Sequence, residues 1–397
     1  YRRCVRPRLG LLIAVFALTL TACGGGDSER KDAGPNDTGD RIKIGVLVPL
    51  SGDHARPGRE MLNAAQLAAD ELNATGGVLG RRLEIVSGDD GCDPQAAGPA
   101  ADKLVASGVV GVVGGYCSGA AIPASAATDA KGIPYISAFA TNPAVTDRGL
   151  RTVFRIPGRD DQQAAFAARY LAVQAGVRKL AILHDNTVYA KDLAERTRSA
   201  NDDLKTGMEI VFFDAIKPGE QDYRPALTAI KASGADALYF TGYPPEWIVI
   251  LRQAKELALP VRLTGGDGSA DPGVIEAAGA AAEGFVATHA LLPEFLPRAG
   301  AFIQVFSERF GAAPGPSAVY QYDATKTLAN AIFWAGSTDP RDIVEALRTT
   351  RHEGLIGEIA FDAKGDRQAT VYATAIVRDG KFRPHKKLDP RGNWVDG

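Results

Sequence analysis

Gly115-Tyr116-Cys117-Ser118-Gly119 follows the apolar run 109–114, VVGVVG, and leads into an alanine-rich segment. That order reads as a strand, a tight turn and a helix. It is also the setting of a nucleophile elbow, with Gly115 and Gly119 flanking Cys117. Working outward, the same unit recurs. Residues 42–48, IKIGVLV, make a buried strand. Met61, Ala65, Ala68 and Leu72 then recur at helical spacing until Gly76-Gly77 stops the helix. Strands at 83–86 and 133–137 and helices after Pro94 and over 120–131 continue the alternation. A second series follows: helix 162–174, strand 179–184, helix 193–205, strand 208–214, helix 223–232, strand 237–241, helix 246–257 and strand 261–264. Alternating strands and helices imply parallel, doubly wound sheets. So many strands imply an α/β chain of two lobes. Helices over 301–310 and 324–334 lack strands of their own and are expected to return to the first lobe.

The 397 residues suffice for two domains. A formal net charge of −2 gives no electrostatic case for nucleic acid. Arg2, Arg3, Arg6 and Arg8 precede an apolar run over 9–21, too short to span a bilayer comfortably but flanked like a secretory signal. Leu20-Thr21-Ala22-Cys23 resembles the bacterial lipobox, in which the cysteine thiol carries a lipid. The expectation is a signal peptide over 1–22 and a lipid-anchored flexible tether over 23–40, placing the protein on the extracytoplasmic face of the cell membrane. Cys4 would leave with the signal and Cys23 would become the anchor. Cys92 and Cys117 then remain in an oxidising compartment, which favours a disulfide over a catalytic thiolate. Such a staple closes about 25 residues and contributes roughly 3 to 4 kcal/mol.

Enzymatic motifs are weak. There is no Walker loop, and Gly265-Gly266-Asp267-Gly268 lacks dinucleotide spacing. The five histidines form no metal-ligand pair at helical spacing. His184-Asp185 reads as a loop hydrogen bond before a triad fragment. Asp89, Asp90 and Asp93 read as turn and cap chemistry before a cation site. No cofactor and no metal are expected. In open α/β sheets, ligands bind beyond the carboxyl ends of the strands. Tyr116 and Ser118 follow the third strand; Phe139, Ala140 and Thr141 follow the fourth. Ser118 and Thr141 each precede an expected helix, whose N-terminus suits an anion, although both also read as plain N-caps. Tyr189, Tyr243 and Asp267 follow strands of the second series. Hydroxyls on one lobe and a carboxylate on the other fit a zwitterion.

Several stretches carry a resemblance: "DDGCDP" (89–94), "GYCSGAAIPAS" (115–125), "ATNPAVT" (140–146), "LHDNTVYAKDLA" (183–194), "VFFDAI" (211–216), "GYPPE" (242–246) and "FDAKGD" (361–366). The chain resembles the branched-chain amino-acid-binding proteins, the Leu/Ile/Val class of type I periplasmic binding proteins that serve ABC importers. The resemblance implies two lobes, 41–158 plus 287–362 and 159–286 plus 363–397, joined by a three-strand hinge. It implies a Cys92–Cys117 disulfide and a monomer that passes an aliphatic amino acid, or a close analogue, to permease subunits. Ser118 and Thr141 would hold the ligand carboxylate. The Phe139 carbonyl, Thr141 and Asp267 would take the ammonium, and Tyr116, Ala140, Tyr189 and Tyr243 would line the side-chain pocket. Pro57 stands where Leu-type members carry an aromatic, Asp267 where they carry Glu, and Phe139 where they carry a small residue. A sensory module of the same fold for an amide or an aromatic or short carboxylate, and a secreted hydrolase, are the competing readings.

Overall fold

The computed structural model describes residues 41–290 and 292–397. The expected signal segment, Cys4, Cys23 and the tether lie outside the described residues. The first sheet is built around β1 (Ile42–Val48), whose near-continuous apolar run suits a strand covered on both faces. With β2 (Leu83–Asp89), β3 (Gly111–Gly114), β4 (Tyr135–Ser137) and β5 (Val153–Arg155) it forms a parallel sheet in the order β2-β1-β3-β4-β5. Helices α1 (Ala55–Ala74), α2 (Pro94–Ala106) and α3 (Ser118–Asp129) make the crossovers. Helix α2 starts where the sequence says it should: Asp93 accepts from the Gln95 amide at 2.8 Å and Pro94 fills the first turn.

The second series runs α4 (Asp160–Arg169), β6 (Lys179–His184), α5 (Val188–Asp203), β7 (Glu209–Ala215), α6 (Arg224–Ser233), β8 (Ala237–Thr241), α7 (Pro244–Glu256), β9 (Arg262–Gly265), α8 (Pro272–Ala278) and β10 (Val286–Ala290). Helix α4 is shorter than expected. Residues 170–174 widen into one π turn, closed by the Ala175 amide on the Tyr170 carbonyl at 3.0 Å. The chain then forms α9 (Gly300–Phe310), α10 (Pro316–Ala335), α11 (Pro340–Arg348) and the hairpin β11 (Arg351–Gly354) and β12 (Gly357–Ala360). It ends in β13 (Tyr372–Arg378), β14 (Lys381–Leu388) and β15 (Trp394–Asp396). The second sheet has the order β15-β14-β13-β10-β9-β8-β6-β7. Strands β6 to β10 pair in parallel, whereas β10–β13, β13–β14 and β14–β15 pair antiparallel. The doubly wound parallel sheets expected from the alternation are present, and the second one carries an added antiparallel edge. Helix α10 packs on α1 and β3, in the first lobe.

The chain passes between the sheets three times. It leaves the first after β5, through 156–159. The expected second boundary, 286/287, falls inside β10, which stays bonded in the second sheet. That crossing comes later, between Leu292 in the second core and Leu296 in the first. The expected third boundary, 362/363, is also early, because Asp366 still bridges to Arg155 at the edge of the first sheet.

Candidate functional site

The turns after β3 and β4 face those after β6, β8 and β9 across a closed cleft. Cys117 caps α3 from the extended region and is bonded to Cys92, with Cα atoms 5.4 Å apart. The disulfide expected over a catalytic thiolate is formed, and a sulfur in a disulfide is neither a thiolate nucleophile nor a metal ligand. Among the described residues, His54, Cys92 and Cys117 are the one grouping with metal-like spacing, and two of its three atoms are those bonded sulfurs. Ser118 is the first residue of α3, and its Oγ accepts from the Asn142 amide at 3.3 Å. The second expected helix is absent. After Thr141 comes a three-residue 3-10 turn, Pro143–Val145, capped by Asn142. It is too short to act as a second anion-binding helix end.

Arg155 fixes that loop from behind. It is fully buried and donates to the carbonyls of Thr141 (2.9 Å) and Asn142 (2.7 Å), to Thr146 Oγ1 (2.8 Å) and to Asp366. Asp366 also pairs with Arg159 at 2.7 Å. The "FDAKGD" stretch thus reaches the site indirectly, through a buried ion pair.

A small cavity of about 10 Å³ remains in the cleft. It brings together Phe139, Thr141 and Asp267, and adds Tyr320, Tyr372 and His289. Asp267 accepts from the Tyr189 hydroxyl at 2.7 Å, and that oxygen accepts from the Gly268 amide at 3.0 Å. Burial pushes the Asp267 carboxyl upward, while Tyr189 and Gln163 hold it down. The tyrosines pack ring to ring: Tyr116 stacks on Phe139 at 5.5 Å and lies 5.7 Å from Tyr243, which sits 5.2 Å from Tyr189. Ala140 is buried, and its carbonyl accepts from Ser137 at 3.2 Å. Pro57 lies apart from the cavity, in a groove at the mouth of the cleft with His54 and Pro244. His54, one helical turn before Pro57, lies 4.8 Å from Tyr243 and 5.9 Å from Tyr116.

Sequence reasoning missed Asp160, at the start of α4. It is fully buried, and neither carboxylate oxygen has a hydrogen-bond partner. Its amide donates to the Thr141 carbonyl at 3.1 Å. Burial and the nearby Asp267 charge raise its carboxyl, and the adjoining Thr141 hydroxyl tempers the rise. Two further acceptors go unused, Gln163 Oε1 and His289 Nε2. His289 Nδ1 lies 2.8 Å from the Ala290 carbonyl, which calls for the Nδ1–H tautomer and leaves Nε2 an acceptor. Burial lowers this imidazole to about 4. The Asp160-Asp161 dipeptide could have been found as a helix start. Its burial could not, because the cover comes from the other lobe.

The sequence profile of the periplasmic binding proteins matches residues 41–381. An "Amino acid binding protein" of Pseudomonas aeruginosa is 34% identical over 345 residues, 86% of this chain and 91% of that protein. The leucine-, isoleucine-, valine-, threonine- and alanine-binding protein of the same organism is 34% identical over 327 residues, 82% of this chain and 87% of its own. A leucine-binding protein of Thermotoga maritima superposes with a TM-score of 0.81 at 28% identity, covering 88% of this chain and 99% of that one. A branched-chain amino-acid transporter substrate-binding protein of Streptococcus pneumoniae, in complex with isoleucine, gives 0.81 and 28% over 88% and 100%. Matched along nearly all of the described chain, in sequence and in fold, this protein belongs to the periplasmic binding protein family.

Proposed function

We propose that the chain captures a small α-amino acid, aliphatic or a close analogue, between its lobes and delivers it to the permease subunits of an ABC importer. The observation that carries the reading is a set of buried acceptors: Asp267 and His289 Nε2 line the cavity, and the Asp160 carboxylate and Gln163 Oε1 lie buried nearby, with Asp267 accepting from a neighbour, the Tyr189 hydroxyl. Buried acceptors left without donors are costly. An ammonium brings one positive charge and three donors, which answers two carboxylates better than a neutral ligand does. Ser118 and Thr141, with the first amides of α3, would take the carboxylate. The ring wall of Tyr116, Phe139, Tyr243 and His54 would enclose the side chain. A cavity of about 10 Å³ holds no more than one water, so the ligand enters by parting the lobes. Cys23 would anchor the protein by lipid on the extracytoplasmic face, after cleavage of residues 1–22, and the tether would let it reach the permease as a monomer. The relatives named above as binding proteins, and the bonded Cys117, support a carrier over a hydrolase.

A thermal-shift screen of amino acids, amides and aromatic carboxylates tests this, because a ligand that binds the folded state raises the melting temperature. An aliphatic amino acid should give the largest shift. Asp267→Ala should abolish it, since a buried, unpaired ammonium costs about 3 to 5 kcal/mol, a hundredfold or more in affinity. A best ligand that lacks an ammonium and still binds Asp267→Ala at full strength would move the protein to the amide- and carboxylate-binding reading.

A further inference from the structure

We propose that the pole of the first lobe opposite the cleft is a docking face for an anionic lipid bilayer. Helix α10 fixes the direction. Tyr320, near its start, lines the cavity and lies 6.0 Å from the Phe139 ring, beyond the carboxyl end of β4. Leu328, two turns on, lies against Gly111, at the amino end of β3. The helix therefore runs antiparallel to the strands. Phe333 and Trp334 come a further turn and a half along, roughly 21 Å from Tyr320 at the helical rise, beyond the amino-terminal edge of the sheet.

Those two rings are unusual for a soluble surface. Phe333 is 55% and Trp334 78% exposed, and they pack edge to face at 5.4 Å. Leu79, 38% exposed, sits in the loop before β2 at the same edge. The loops that feed β2, β3, β4 and β5, residues 75–82, 107–110, 130–134 and 149–152, contain Arg81, Arg82, Lys131 and Arg151 and no carboxylate. Arg82 and Lys131 are exposed, and Arg151 has a loose partner in Glu345 at 3.4 Å. Aromatic rings with basic residues are the composition that settles at a headgroup interface. The described chain begins at Arg41, just before β1, so its covalent link to the preceding residues leaves from this pole. Cys23 stands 18 positions earlier, which limits the separation to about 60 Å of extended chain. The lipid on Cys23 belongs to the function proposed above, and the inference rests on that reading for what keeps this pole close to a membrane.

The test follows Trp334 emission in the full chain transferred to vesicles of brominated phosphatidylglycerol and phosphatidylcholine, with Trp334→Phe subtracting Trp247 and Trp394. The mass of the processed N-terminal peptide reports separately whether Cys23 carries lipid. Quenching on anionic vesicles, weaker on phosphatidylcholine alone, is the expected result. Arg82→Gln and Lys131→Gln should each lower the docked-to-undocked ratio about fivefold without changing the melting temperature. An anchored protein whose Trp334 stays unquenched overturns the docking face and leaves the anchor standing. If Cys23 proves unmodified, the same vesicles are added from outside: quenching still supports the face, and its absence overturns it. A vesicle-free dimer that dissociates in Trp334→Ser would assign the face to a second copy and overturn the bilayer.

Discussion

Asp160 and Asp267 set the chemistry of the cleft. Burial raises both carboxyls above the ordinary value of 3.8, and the Asp267 charge adds to the rise at Asp160. A raised carboxyl takes up protons more readily in the folded, ligand-free protein than in the unfolded chain. Acidification toward 3.8 therefore relieves, through these two groups, a cost the folded state bears at neutral pH. Ligand binding runs the other way: an ammonium needs the ionised carboxylates, so protons compete with it. The ligand-induced rise in melting temperature should shrink steadily from pH 7.5 to pH 5, with affinity falling by up to about tenfold per pH unit for each proton displaced. Asp160→Asn should flatten that dependence and bind more weakly at neutral pH. A shift that stays constant over the range would mean that neither carboxylate meets the ligand's charge. His289, lowered to about 4, acts oppositely on the ligand-free protein, losing stability as pH falls from 6.5 toward 4. Between pH 7.5 and pH 5 the folded His289 stays largely neutral, so over that range the difference between bound and free protein reports the two acids.

At the scale of elements, the 141–146 loop owes its shape to β5 and to the segment after β12. Arg155 has a fully buried side chain, and Asp366 compensates its charge while Thr141, Asn142 and Thr146 take its remaining donors. Removing one partner of a buried pair costs more than the pair itself contributes, because the other charge is left without solvent. Asp366→Ala should lower unfolding stability by about 3 to 5 kcal/mol in a urea titration, and Asp366→Asn by less, since its amide oxygen still accepts. The alanine variant should also bind ligand more weakly, because Thr141 loses the clamp on its carbonyl. A variant as stable as the parent would show that Asp147 leaves Arg159 to accept from Arg155. The disulfide between β2–α2 and β3–α3 stabilises the adjoining turn by about 3 to 4 kcal/mol through loop closure.

For the whole molecule, closure depends on few polar contacts between lobes. Arg56 of α1 pairs with Asp271, the N-cap of α8, and the Asn142 amide group donates to the Val188 carbonyl at 3.2 Å. The Arg56 side chain is half exposed, so its bridge contributes up to about 1 kcal/mol, or fivefold in the balance of open and closed forms. Arg56→Ala should therefore increase the radius of gyration of the ligand-free protein in solution scattering. Saturating ligand should return both proteins to the same compact profile, as a hinge motion requires. Identical ligand-free profiles would place the closing energy in the ring cluster of Tyr116, Tyr243 and His54.

The alternating apolar strands and helices by themselves determined the two-lobed α/β architecture, because periodicity records which faces must be buried. They also determined the turns on which Ser118, Thr141, Tyr189 and Asp267 stand, since a parallel strand delivers its next residues to one edge of the sheet. The antiparallel edge was legible in part: Asp379-Gly380, with φ of 53° and 67°, is a hairpin turn that follows the apolar run of β13. Tertiary structure alone decided that the residues after Thr141 make a single 3-10 turn, because Arg155 takes the carbonyls there. It also placed His54 against the rings of Tyr116 and Tyr243, and brought the buried Asp160 carboxylate close to Asp267. Each of these depends on residues from a different stretch of chain closing over the group, and local sequence carries no record of what will cover it.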